Sequence, residues 1–188
     1  MKMKSKLEPR IMGVVGSMGA GKTLFMSFLA YQYRMTHYIM ANYDLKCRHE
    51  DLTPDKVKNM MARANKLKGS KLVLLDEVHI FNDSRSSMSK QNMVFSYFIT
   101  QTRKNDIQMM YTTQHFNQVD KRLRDNTDVI TFPVYNEKAD ILTVHFYNRH
   151  FLNGNLNYQF SKRFKNVKFI FDEYSTEQLI GINFFDKL

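Results

Sequence analysis

The stretch GSMGAGKT, residues 16–23, constrains this chain more than any other. It fits the pattern G-x-x-x-x-G-K-[ST]. The apolar run IMGVV, residues 11–15, precedes it, and Leu24, Phe25, Phe28, Leu29 and Tyr33 follow it at helical spacing as far as Arg34. Strand, glycine loop and helix in that order turn backbone N–H groups inward around phosphate oxygens, at the positive end of the helix. Gly16, Ser17, Met18, Gly19, Ala20, Gly21, Lys22 and Thr23 are therefore the candidate nucleotide-binding residues. Lys22 is placed to reach the β and γ phosphates, and Thr23 to ligate Mg²⁺.

A second acidic element completes that chemistry. LVLLDE, residues 72–77, is a fully apolar strand ending in two carboxylates, which are costly to bury without a metal or a set of donors. Asp76 is the candidate that holds the metal through water, and Glu77 the one that polarises a water against the γ phosphate. The adjacent pair favours water as acceptor, hence hydrolysis. His79 has no second His or Cys at ligand spacing and reads as a structural neighbour.

The pattern between and after these motifs predicts an α/β fold. A strand over 37–43 follows the first helix; Thr53-Pro54-Asp55 starts a helix over 55–67, and Gly69-Ser70 ends it. A helix over 88–102 follows the polar loop 82–87, and the apolar centre of QTRKNDIQMMYTTQ, residues 101–114, gives the next strand. Short strands alternating with helices imply a mostly parallel sheet with helices on both faces and ligands at the strands' carboxyl ends. A strand that follows the Asp76-Glu77 strand after a helix should lie beside the phosphate site, which puts Gln114 near the γ phosphate. Arg103, before the far end of the same strand, cannot reach its own nucleotide, since seven strand residues span roughly 23 Å; it is the candidate to act on a neighbour's. Strands over 129–134, 141–147 and 156–160, with a hairpin signal at Asn153-Gly154, predict an antiparallel extension. Ser175 is placed to cap a short helix through Leu179 within the closing segment 169–181. We expect a single domain over 1–188, with its core over 11–135 and a β-rich extension over 136–188.

Composition narrows the partners. The net charge of +10 on 188 residues points to a polyanion such as nucleic acid, or to an anionic membrane surface. The lone cysteine, Cys47, forms no internal disulfide, and no run of about 18 apolar residues offers a membrane span. Both fit an intracellular setting.

GSMGAGKT, LVLLDEVHIF, the position of Arg103 and YTTQH, in that order, resemble the FtsK and HerA superfamily of DNA-pumping P-loop ATPases, of RecA-like fold. Within it, TRKNDIQMMYTTQHFNQVDKRLRDNTDVI and FDEYSTEQ are similar to genome-packaging ATPases of icosahedral viruses and to zonula-occludens-toxin-like phage proteins. The resemblance covers residues 11 to about 135. It implies ATP and Mg²⁺ as ligands, Lys22, Thr23, Asp76 and Glu77 in the roles above, Gln114 as sensor, and Arg103 as a finger supplied in trans, with Arg85, Arg122 and Arg124 as rivals. It implies a homo-oligomeric ring around double-stranded DNA, in the host cytoplasm or at a virion vertex, with capsid or virion membrane proteins as docking partners. The toxin-like relatives usually continue into a membrane-spanning helix, which this chain lacks, and this favours the packaging motor. A plasmid or conjugative DNA pump, a phage assembly ATPase acting at a membrane, and a nucleotide-dependent switch are the other readings.

Overall fold

A computed structural model describes residues 10–63, 70–78, 98–100, 102, 106–149 and 155–175. The strands are β1 (Ile11–Val15), β2 (His37–Ala41), β3 (Glu50–Asp51), β4 (Ser70–Leu75), β5 (Ile107–Thr113), β6 (Val129–Asn136), β7 (Ile141–Arg149) and β8 (Leu156–Lys165). Three α-helices are described: α1 (Lys22–Tyr33), α2 (Pro54–Arg63) and α3 (Lys121–Asp125). The strands form one sheet in the order β3-β2-β4-β5-β1-β6-β7-β8. Neighbours from β3 to β6 are parallel, and β6, β7 and β8 are antiparallel. The expected mostly parallel α/β sheet with an antiparallel extension is thus the observed one.

The central strands read as unbroken apolar runs because both faces of the sheet are covered. Leu72 and Leu74 join one buried cluster, with Val14 of β1 and Leu24, Phe25 and Met26 of α1. Val73 and Leu75 join the other, with Ile107, Met109 and Tyr111 of β5, Val57 and Met60 of α2, and Leu123 of α3. Alternate residues of one strand therefore feed opposite cores.

Most expected elements fall where the sequence put them, with shifted ends. β2 stops at Ala41, two residues short of the expected end, because Asn42 turns its amide toward the next strand. Thr53 begins α2 as expected, its hydroxyl accepting from the Lys56 N–H at 3.3 Å. β8 runs to Lys165, five residues beyond the expected end, as far as β7 offers partners. Residues 168–173 form a 3₁₀ turn. Asn153-Gly154, nearly all of the helix expected over 88–102, and the residues that Ser175 would cap lie outside the described residues.

Candidate active site

Parallel pairing brings three carboxyl ends to one edge of the sheet. β5 lies between β1 and β4, with Val15 level with Thr113 and Leu75 level with Tyr111. Asp76 therefore sits beside Thr112. The Gly16 N–H donates to the Thr113 carbonyl at 3.3 Å, which sets Gln114 next to the start of the glycine loop. Gln114 is half-buried there, and its side chain makes no hydrogen bond among the described residues.

The loop turns on two glycines. Gly19 and Gly21 have φ of 76° and 92°, in the left-handed region that glycine enters freely. Gly21 is crowded as well: a Cβ on it would lie 3.1 Å from the Tyr135 Cβ and 3.2 Å from the Leu142 Cδ1. Ser17, Met18 and Gly19 are exposed, so the loop's crest faces solvent. Lys22 folds back beneath it, donating from Nζ to the Ser17 carbonyl at 2.9 Å. Burial lowers the pKa of the Lys22 ammonium, and the negative charges of Asp76 and Glu77 oppose that shift.

Asp76 joins the loop to the rest of the edge. It is only 4% exposed. Its Oδ2 accepts from the Thr23 hydroxyl at 2.9 Å and its Oδ1 from the Thr112 hydroxyl at 2.5 Å. Burial pushes its carboxyl pKa up and Glu77 adds to the rise, while the two hydroxyls and Lys22 pull it back. Asn42 clamps its backbone from β2: the Asp76 N–H donates to Oδ1 of Asn42 at 2.7 Å, and Nδ2 of Asn42 donates to the Asp76 carbonyl at 3.0 Å.

Glu77 stands in a conformation its side chain does not favour. Its φ is 51°; the other described non-glycine residues with positive φ are Asp106, Asp140 and Asn166, types that enter this region readily. The strain, about 1–2 kcal/mol, is held by the Glu77 N–H, which donates to the Thr112 hydroxyl at 2.7 Å. A single β5 hydroxyl thus accepts from the backbone of one acid and donates to the carboxylate of the other.

The structure brings together residues 16–23, Asp76, Glu77 and Gln114. Arg103, Arg85 and His79 lie outside the described residues. Arg122 and Arg124 lie on α3 beyond the Gln114 end of β5; Arg124 donates to the Asn117 carbonyl at 3.1 Å. Asn42 was not singled out by the sequence, and Thr112 stood out only as one of three polar residues, with Thr113 and Gln114, that close an apolar strand, without a role of its own. The signal for Thr112 was its place as a hydroxyl near the end of a buried strand, where it must find partners.

The residues fit a magnesium nucleotide. Mg²⁺ keeps waters and phosphate oxygens and needs only one or two protein groups, and Thr23 with Asp76 supplies them. Among the described residues no three His, Cys, Asp or Glu gather as a self-sufficient metal cage.

Comparison with known proteins bears on the fold that carries this site. The model of the ATPase family associated with various cellular activities (AAA) matches residues 12–134, more than half of the chain. Among solved structures, the N-terminal domain of zonular occludens toxin from Neisseria meningitidis is similar, with 19% identity and a TM-score of 0.58, over 90% of this chain and 100% of that one. The genome packaging NTPase B204 from Sulfolobus turreted icosahedral virus 2, in complex with ATP-gammaS, is similar over 80% of this chain and 96% of its own, with 10% identity and a TM-score of 0.53. At these identities the likeness is one of fold, and it bears out the P-loop NTPase architecture. No curated protein matches the chain in sequence.

Proposed function

The chain belongs to the ATPase family associated with various cellular activities, and from that premise we propose that it hydrolyses Mg²⁺-bound ATP to translocate double-stranded DNA, as a packaging motor working in a homo-oligomeric ring. The observation that carries the catalytic part is the junction at Asp76, where the Thr23 hydroxyl of the phosphate loop and the Thr112 hydroxyl of β5 meet on one buried carboxylate.

In this reading Lys22 leaves the Ser17 carbonyl for the β and γ phosphate oxygens. Thr23 directly and Asp76 through water would hold the Mg²⁺, which would supply charge neutralisation at those oxygens. Glu77, its backbone held by Thr112, accepts a proton from the attacking water. Gln114 accepts from that water and donates to the γ phosphate, so it distinguishes ATP from product. The DNA part is supported by the net charge of +10 and by the fold shared with a genome packaging NTPase.

The complete coverage of the toxin domain supports a second reading, an assembly ATPase acting at a membrane. Among the described residues no helix is long and apolar enough to cross one. ATP turnover measured with duplex DNA or with anionic vesicles separates the two. The motor reading expects duplexes of unrelated sequence to stimulate turnover, with a steep loss as salt rises, because phosphate contacts release counterions. Stimulation by vesicles and not by DNA would transfer the proposal to the membrane.

A further inference from the structure

Residues 141–171 contain no Asp or Glu, yet they carry Arg149, Lys162, Arg163, Lys165 and Lys168, five positive charges in a chain whose net charge is +10. β7 and β8 make up most of that run, and the antiparallel extension they build has two unlike faces.

One face is covered. Leu142 and Val144 are buried in the cluster that includes α1, and the Phe25 ring meets Phe146 and Phe164 there, each with centroids 6.2 Å apart. The other face follows from the register, since directly opposed residues of antiparallel strands share a face. It carries Phe132 from β6, His145 and Tyr147 from β7, and Tyr158, Arg163 and Lys165 from β8. None of these belongs to either buried cluster of the described residues; Phe132, His145 and Tyr147 are half-buried, Ile130 opposite Tyr147 is buried, and the face opens toward β8. Tyr158 is 55% exposed. A bulge between Phe146 and Tyr147 turns Tyr158 onto this face, where its hydroxyl hydrogen-bonds the Ser161 hydroxyl at 2.8 Å and Ser161 in turn bonds Nδ1 of His145 at 2.6 Å.

We propose that this open face binds a single-stranded stretch of nucleic acid, bases stacked on Phe132, Tyr147 and Tyr158 and phosphates paired with Arg163 and Lys165. The rings form an edge-to-face row: Phe132 meets Tyr147 with centroids 5.3 Å apart at 87°, and Tyr147 meets Tyr158 at 5.5 Å and 69°. Aromatic faces beside a basic track suit unpaired bases, whose π-faces are free, whereas the bases of a duplex already stack on each other. A lipid surface would take wedges protruding from a loop tip; these rings instead meet edge to face across the strands. Arg149 is paired with Asp125 and Lys162 lies over Phe164 on the other face, so the charge of Arg163 and Lys165 selects a polyanion, and the rings select which one. This inference does not rest on the motor reading, because the face is separate from the phosphate loop and its binding needs no ATP.

The test is fluorescence anisotropy of a labelled oligothymidylate, of a duplex and of phosphatidylserine vesicles, all without nucleotide, against wild type, Tyr158→Ala and Tyr158→Phe. Tyr158 is a surface ring, so neither variant threatens the core. Tyr158→Ala is expected to weaken oligothymidylate binding roughly tenfold or more and duplex binding much less, while Tyr158→Phe binds like wild type. ATP turnover without nucleic acid stays unchanged in all three. Equal loss on duplex or vesicles, or no loss on oligothymidylate, overturns the proposal. A chain that hydrolyses ATP under duplex stimulation but fails this test keeps the motor reading and loses only the platform.

Discussion

Asp76 is a carboxylate buried with two hydroxyl partners and no cation in direct contact among the described residues. Its folded pKa is raised, chiefly by burial, so the fold favours the protonated acid. The stability this contributes is complete below the unfolded pKa and is lost as pH climbs through the folded value, which makes the ionised group unfavourable to the nucleotide-free chain at neutral pH. Asp76→Asn should therefore raise the melting temperature of the nucleotide-free protein at pH 7, by about 2–4 °C for each kcal/mol recovered, because hydroxyls can serve an amide as well as a carboxylate. The gain should shrink in acid, and Mg²⁺-ATP should no longer stabilise the variant. Thermal melts at the two pH values check this; a lower melting temperature at pH 7 would mean that the hydroxyl bonds and Lys22 outweigh burial. Lys22 and Thr23, and Asp76 and Glu77, were legible because each pair sits in its own short stretch, residues 16–23 and 72–77, whose local pattern is itself the signal. Thr112 and Asn42 were not, since each acts on Asp76 only through the pairing of β2, β4 and β5, which no local pattern encodes.

At the scale of elements, β5 is the member the site depends on most. Chain order made it legible that this strand lies beside the phosphate site; the pairing puts it between the loop strand and the acid strand, where its carboxyl end delivers Thr112 and Gln114. Its other end begins at Ile107, beside the ion pair of Arg10 and Asp106 at 2.7 Å, on the opposite edge of the sheet from the phosphate loop. Arg103 precedes that end in sequence, which supports its proposed action on a neighbouring subunit's nucleotide. Arg103→Ala and Lys22→Ala chains should each be nearly inactive, and mixing them should restore part of the hydrolysis. Mixed assemblies that restore nothing, or full activity in Arg103→Ala alone, would give the finger role to Arg122, Arg124 or Arg85. The ends of β2 and β8 were misjudged for a common reason: residue propensity does not know where a neighbouring strand stops, and side chains such as Asn42 leave the ladder for a partner elsewhere.

Over the whole molecule, the parallel half of the sheet was readable because burial on both faces writes itself as apolar runs, and the antiparallel half because its strands alternate. What the sequence did not show is that charge and rings share one face of the extension, since that depends on the register of β6, β7 and β8 and on a bulge. The two halves thus have separate tasks in this account: nucleotide at the edge of the parallel half, polyanion on the antiparallel half. Under the proposed function, the edge formed by the glycine loop, Asp76, Glu77 and β5 turns over ATP with Glu77 as the base. The most direct measurement is ATP affinity and steady-state turnover of wild type and Glu77→Gln, with saturating duplex DNA present. With Glu77 as the base, affinity stays within about threefold of wild type and turnover falls by roughly 10²–10⁴. Wild-type turnover in Glu77→Gln would contradict it.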